Sequence, residues 1–130
     1  MNFEISFIDG DQIAVVKTSG HATREGFDAF PEAVMADPRW RRGMSILGDH
    51  RELDMSGLSA QDIRDLGNNR LLRGGAIGAG RLAIVASTPA AFGLARMAEN
   101  YGEGVMPCLV RAFKTTDEAL AWLREKSGAG

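Results

Sequence analysis

The chain has 130 residues, of which 45% are hydrophobic and 25% are charged, and its formal net charge at pH 7 is −2. This length fits one domain, and a chain of this size buries roughly two-thirds of its unfolded surface. The nearly balanced charge argues against a nucleic-acid-binding protein or one that binds an anionic membrane. We therefore predict a single α/β domain over residues 1–126, followed by a frayed tail at 127–130.

Cysteine content and hydropathy indicate the compartment. Cys108 is the single cysteine, so the chain cannot form an internal disulfide, and nothing favours an oxidising compartment. No apolar run approaches the ~18 residues that a membrane span needs. The acidic residues Glu4 and Asp9 stand where a signal peptide would carry basic ones. We expect a cytoplasmic protein with no integral membrane association.

The first two elements are predicted to form a β-hairpin. Apolar and polar residues alternate over 3–7, and a period of two is typical of a half-buried strand. Asp9-Gly10-Asp11 is a turn signal. The apolar run at 13–16 predicts the second strand, which Gly20 ends.

Thr23 is predicted to cap a first helix that runs to about Ala36. Its apolar residues recur at helical spacing and define one buried face. Pro31 lies inside this helix, and because an interior proline costs about 3 kcal/mol, we expect a kink there. The residues of the apolar face are Phe27, Phe30, Val34 and Met35.

The third strand is predicted to start at Met44 and to end at Gly48-Asp49-His50. Ligands of open α/β sheets bind at the carboxyl ends of strands, so Asp49 and His50 are candidate site residues. Neighbours in an extended chain point to opposite faces, so these two side chains are not expected to form a catalytic dyad. The simpler interpretation is a solvated strand end.

Three further helix starts carry capping signals. Ser59 and Asp62 form a capping box with the shorter acid at the start of the second helix. Thr88 is followed by Pro89, a combination typical of a helix start, and the exposed amides there can hold an anion. Thr115 begins the last helix, with a glutamate three residues later.

The remaining segments are two strands and a connector. Apolar runs predict strands at 82–86 and 108–113. The glycine-rich segment 74–80 is predicted to be flexible, and its G-x-G-x-x-A pattern follows a helix and opens a strand, the reverse of the dinucleotide-binding order. The order β-β-α-β-α-β-α-β-α predicts a mixed, largely parallel five-stranded sheet with about four helices.

The third predicted helix is rich in small residues. Gly93 lies inside it at a cost of about 1 kcal/mol relative to alanine, so we expect either a backbone or a ligand to pack closely there. Together with Phe92 and Met97, this helix is a candidate wall of an apolar pocket. The two histidines, His21 and His50, are far apart in sequence, so no metal site is predicted.

A turn and two longer stretches carry a resemblance to a known family. The turn is Asp54-Met55-Ser56-Gly57-Leu58-Ser59, and the stretches cover 91–97 and 113–123. STAS domains of anti-sigma-factor antagonists have an aspartate-serine-(serine)-glycine-leucine turn at this place, so the chain resembles a SpoIIAA-like (STAS) domain. The two stretches resemble a small bacterial family related to both STAS and CRAL-TRIO lipid-binding domains. The resemblance covers nearly the whole chain.

The resemblance implies a candidate regulatory site. In STAS antagonists a serine in this turn is phosphorylated, which switches binding to an anti-sigma kinase. The matching hydroxyl here is Ser56, with Ser59 nearby. A simple role of both serines in the turn and the helix cap stays open.

Three interpretations of function follow. The leading one is a non-enzymatic regulatory module that engages a protein partner through the second helix and neighbouring loops. The alternative, implied by the likeness to CRAL-TRIO domains, is a carrier or sensor of a small apolar or lipid-like ligand. The third is a small enzyme that uses Asp49 and His50. No cofactor or metal is predicted, and a homodimer is left open. The candidate ligand- or partner-binding residues are Asp49, His50, Thr88, Phe92, Arg96, Phe27 and Phe30.

Overall fold

A computed structural model describes residues 1–10, 12–66, 78, 80–102 and 108–128. Within these ranges the chain forms five strands and four helices. The strands are β1 (Asn2–Ile8), β2 (Ile13–His21), β3 (Ser45–Asp54), β4 (Arg81–Val85) and β5 (Leu109–Phe113). The helices are α1 (Arg24–Ala36), α2 (Ala60–Leu66), α3 (Pro89–Gly102) and α4 (Thr116–Gly128).

The strands form one sheet in the order β1-β2-β3-β4-β5. β1 pairs antiparallel with β2, and every later neighbour is parallel. The predicted hairpin is confirmed, since Asp9 and Gly10 make its turn with φ of 54° and 67°. The prediction of a mixed, largely parallel α/β sheet is therefore confirmed, because helical crossovers connect successive parallel strands.

The described helices cover the two faces of the sheet unequally. Ile13, Leu47 and Val85 point to one face, where Ala119 and Leu123 of α4 pack on them. The residues that alternate with these along each strand point to the other face, which α1, α2 and α3 cover. On that side Val34 of α1 meets the central strands, while α2 and α3 pack together beside them. The site described below lies on the face with three helices.

Local capping chemistry fixes the helix starts as predicted. Thr23 Oγ1 accepts a hydrogen bond from the Gly26 amide at 3.0 Å, so the predicted cap of α1 is confirmed. In α2, the Asp62 amide donates to Ser59 Oγ at 3.1 Å and the Ser59 amide donates to Asp62 Oδ2 at 2.9 Å. This reciprocal pair is the predicted capping box, and it satisfies two amides that have no partner within the helix.

The other two helices begin in the same way. Thr88 Oγ1 accepts from the Ala91 amide at 3.2 Å at the start of α3. Thr115 Oγ1 accepts from the Glu118 amide at 3.2 Å at the start of α4. Both predicted caps are confirmed. α4 extends to Gly128, two residues into the segment that the sequence predicts as a tail.

The predicted end of β3 at residues 48–50 is wrong. The strand continues to Asp54 because β2 keeps pairing with it as far as His21, after an irregularity in register at Thr18. Asp49 and His50 therefore lie inside the strand and are 6% and 4% exposed. The interpretation of these residues as a solvated strand end is wrong for the same reason.

The expected close approach at Gly93 is also wrong. Gly93 is exposed, and a Cβ atom added there would have no neighbour within 4 Å. Most of the glycine-rich connector predicted at 74–80 lies outside the described residues. No helix in the described part of the chain is long and apolar enough to cross a membrane.

Candidate ligand-binding cavity

An apolar cavity lies between the sheet and the three helices that cover one of its faces. Its volume is about 100 Å³. Its described walls come from α1, α2, α3 and the facing sides of β3, β4 and β5. The lining residues are Phe27, Phe30, Pro31, Val34, Ile46, Gly48, His50, Met55, Ile63, Leu66, Leu82, Ile84, Leu94, Ala95, Ala98 and Val110.

His50 is the polar side chain among these described lining residues. β3 places it on the cavity side, and its ring packs against Phe27 and Phe30, with centroids 5.3 and 5.9 Å away. A Cβ atom added to Gly48 would lie 3.0 Å from His50 Nε2. The ring therefore lies over Gly48, and a side chain at that position would press on it.

A hydrogen bond to β2 holds the His50 ring from behind. Nδ1 lies 2.7 Å from Oγ1 of Thr18, which is itself completely buried. Burial lowers the pKa of His50 from 6.5 to about 4, because the imidazolium would lose its hydration among apolar side chains. The ring is consequently neutral at pH 7, with one protonated nitrogen and one lone pair.

Asp49 points to the opposite face of the sheet and has a different partner. Its Oδ1 and Oδ2 accept hydrogen bonds from Nε and Nη2 of Arg51, both at 2.9 Å. Burial alone would raise the pKa of Asp49, but the hydrogen bonds and charge of Arg51 bring it below its usual value. The carboxylate is thus occupied by a structural ion pair, and the arrangement offers no catalytic dyad with His50.

The turn that resembles STAS domains directly follows β3. Since the strand ends at Asp54, this turn begins at the strand end, and its first carboxylate accepts a hydrogen bond from the Ser56 amide at 2.9 Å. Ser56 is exposed, whereas the preceding Met55 is buried and lines the cavity. The amide and the hydroxyl of Ser59 both form hydrogen bonds with Asp62 in the capping box of α2.

The structure places the other candidate residues as follows. Phe27 and Phe30 line the cavity. Phe92 and Met97 are half-buried against the same helical core but are not among the described lining residues. Thr88 is exposed just before α3, and Arg96 is exposed on α3.

Several cavity residues were not singled out from the sequence. Thr18 and Gly48 orient His50, and Met55 joins the cavity to the turn. The sequence offered one indication that Thr18 is a buried polar residue: it is uncharged and lies in a strand that begins with four buried or half-buried apolar residues. The contributions of Gly48 and Met55 depend on side-chain neighbours that are distant in sequence.

Metal and thiol chemistry find no support in the described residues. No group of three or more histidine, cysteine or acidic side chains with metal-binding geometry exists in those ranges. Cys108 is buried, and its burial raises the pKa of the thiol to about 11. A thiol with this pKa is almost entirely protonated at neutral pH and is a poor nucleophile.

One solved structure establishes the fold class. An uncharacterised protein of the DUF3478 family from Shewanella loihica PV-4, with a SpoIIAA-like fold, is 24% identical to this chain. The match covers 94% of this chain and 92% of that protein, with a TM-score of 0.58. The chain has a SpoIIAA-like fold. The predicted resemblance is confirmed at the level of the fold. No protein-family model and no curated protein matches the sequence.

Proposed function

We propose that this SpoIIAA-like domain carries or senses a small, mainly apolar ligand, which it binds in the cavity beside His50. The cavity is the observation that supports this function over the others. An engineered apolar cavity of roughly 150 Å³ binds benzene. A cavity of about 100 Å³ therefore suits a ligand about the size of benzene or a short alkyl chain.

The energetic cost of the cavity supports the same proposal. Empty volume sealed inside a core costs about 24 cal/mol per Å³, so about 2 kcal/mol is the upper bound for this partly open cavity of about 100 Å³. Larger side chains at Ala95 or Ala98 would fill it. A ligand that enters the cavity recovers part of this cost, which provides affinity without any change of fold.

The proposal is tested by binding of simple apolar compounds and by a variant that fills the cavity. Toluene and phenol are titrated into the isotopically labelled protein, and amide shifts are followed by NMR. We expect the affected amides to cluster around α1, α3 and β3, and Ala98→Leu to weaken binding by about tenfold or more. The matched control is Ala90→Leu, the same substitution at an exposed position of α3.

The contrary outcomes are clear. Absence of binding by either compound, together with native mass spectra that show only the bare polypeptide after purification, would reject the function. Equal affinities for Ala98→Leu and the wild type would place the binding elsewhere.

A second candidate function is a regulatory module that engages a protein partner through α2 and the preceding turn. The observation that favours it is the position of Ser56, which is exposed in a turn that begins where β3 ends. A phosphate on Ser56 would add about −1.5 to −2 charges beside the carboxylate of Asp54, which accepts a hydrogen bond from the Ser56 amide at 2.9 Å. This repulsion would reshape the turn.

The test of this candidate uses charge and its neutral control. A partner retained by the wild type and by Ser56→Ala but lost by Ser56→Asp would support a phosphoserine switch. Ser59→Asp is the neighbouring control, because it adds a negative charge three residues from Ser56 with a side chain that can itself cap α2. Retention of the partner by Ser56→Asp would reject the switch.

A further inference from the structure

Aromatic side chains are concentrated in one part of the cavity wall. Phe27 and Phe30 of α1 and His50 of β3 line the cavity, whereas the described lining residues of α2 and α3 are aliphatic. The three rings contact one another, with centroids 5.3 to 5.9 Å apart. Phe3 supports this group from outside the described lining, since its ring centroid is 6.4 Å from that of Phe30. We call Phe27, Phe30 and His50 the aromatic wall.

The rings of the aromatic wall are steeply tilted against one another. The angle between the ring planes is 66° for Phe27 and Phe30, 51° for Phe27 and His50, and 56° for Phe30 and His50. A flat ligand that lies parallel to one of these rings is therefore steeply tilted against the other two. Aromatic rings attract one another both offset-stacked and edge-to-face, at centroid separations of about 4.5–7 Å. A flat aromatic ligand can thus interact favourably with all three rings at once.

The cavity also favours a ligand without a charge. The described lining contains no acidic side chain, lysine or arginine, and His50 is neutral at pH 7. A charged group would lose its hydration there without gaining a partner. An aromatic ring has no net charge, yet its negative face and positive edge interact with other rings. A saturated ring or an alkyl chain lacks this charge distribution and gains mainly from its burial.

We propose that the ligand contains one uncharged aromatic ring, which packs against Phe27, Phe30 and His50. The cavity volume of about 100 Å³ suits a single ring about the size of benzene. This inference rests on the proposed binding function and narrows it to a chemical class, because a short alkyl chain would serve that function equally well.

The first test locates bound benzene in the wild-type protein. Intermolecular nuclear Overhauser effects are measured between the benzene protons and the assigned side-chain protons of the labelled protein. We expect effects from the ring protons of Phe27 and Phe30, because the proposed ligand contacts both rings. Effects from the aliphatic side chains of α2 and α3 alone would overturn the inference, since benzene would then bind away from the aromatic wall.

The second test compares an aromatic ring with a saturated one. The affinities of benzene and cyclohexane are measured for the wild type, for Phe30→Leu and for Leu94→Val. Both variants shorten a lining side chain, but only Phe30→Leu removes a ring. We expect the ratio of benzene to cyclohexane affinity to fall by about threefold to tenfold in Phe30→Leu and to stay unchanged in Leu94→Val. Because the ratio is compared between proteins, the different hydration of the two ligands cancels.

The outcomes separate the inference from the function on which it rests. An unchanged ratio in Phe30→Leu, or an equal fall in Leu94→Val, would reject the aromatic class and leave the cavity as a binding site. Absence of binding of both compounds to the wild type would reject the binding function and the ligand class together. If Phe30→Leu does not fold, the contacts of benzene in the wild type decide between the classes.

Discussion

Acidification should destabilise this protein through His50, well above the pH at which its carboxylates titrate. The folded protein holds this histidine neutral with a pKa of about 4, whereas its ordinary value is 6.5. Between these values the unfolded chain binds a proton that the folded protein does not. The free energy of unfolding therefore falls as the pH drops through 6.5, and the loss is complete below pH 4.

The size of this effect follows from the two pKa values. Their difference of about 2.5 units corresponds to roughly 3 kcal/mol at full protonation, and about 2 kcal/mol of this is lost by about pH 5. Asp49 has a lowered pKa, so the stability from its pairing with Arg51 is lost only near and below the ordinary value of 3.8. The interval from about pH 7.5 to about pH 5 therefore isolates the histidine.

Urea denaturation across this interval measures the effect. We expect the wild type to lose about 2 kcal/mol, and His50→Phe to lose little, because phenylalanine keeps the ring in the apolar site without a titrating nitrogen. His21→Gln removes the other histidine and should keep the wild-type slope. A wild-type stability that does not change between these pH values, or an unchanged slope in His50→Phe, would refute the buried, neutral state of His50.

Three further predictions concern stability and reactivity. Gly93→Ala should stabilise the protein by about 1 kcal/mol in urea denaturation, because the position is an exposed helix interior with room for a methyl group; destabilisation would mean that something covers α3 there. Ser59→Ala should cost about 1 kcal/mol through the lost α2 cap, while Ser56→Ala should cost much less, and equal losses would contradict the capping role. The thiol of Cys108 should react with a disulfide reagent at neutral pH only as fast as the protein unfolds, and rapid labelling of the native protein would show that the thiol is accessible.

The sequence predicted those features whose causes are local. The helix starts at Thr23, Ser59 and Thr115 depend on a side chain and an amide three residues away, so the sequence pattern contains the whole interaction. The alternation over 3–7 likewise reflects a strand with one face in contact with the core.

Features with distant causes were missed. Polar residues inside β3 looked like a strand end, because their partners lie elsewhere in the sequence. Thr18, whose hydroxyl oxygen contacts Nδ1 of His50, is 32 positions away from it. The cavity had a partial signal in Phe27 and Phe30. The rotation of α3 about its axis, which brings Ala95 and Ala98 to the cavity instead of Phe92, depends on packing against α2 and the sheet.

The turn after β3 links the two candidate functions physically. Met55 lines the cavity, and its carbonyl oxygen accepts a hydrogen bond from the Leu58 amide at 3.1 Å, which closes the turn that exposes Ser56. A ligand that displaces Met55 therefore acts on the same backbone that a partner or a phosphate would contact. By thermodynamic linkage, a partner that prefers one form of the turn must change ligand affinity by the same factor by which the ligand changes partner affinity. We propose on this basis that the two candidate functions are coupled through the turn, and a ligand that leaves partner affinity unchanged would show that the turn does not transmit its binding.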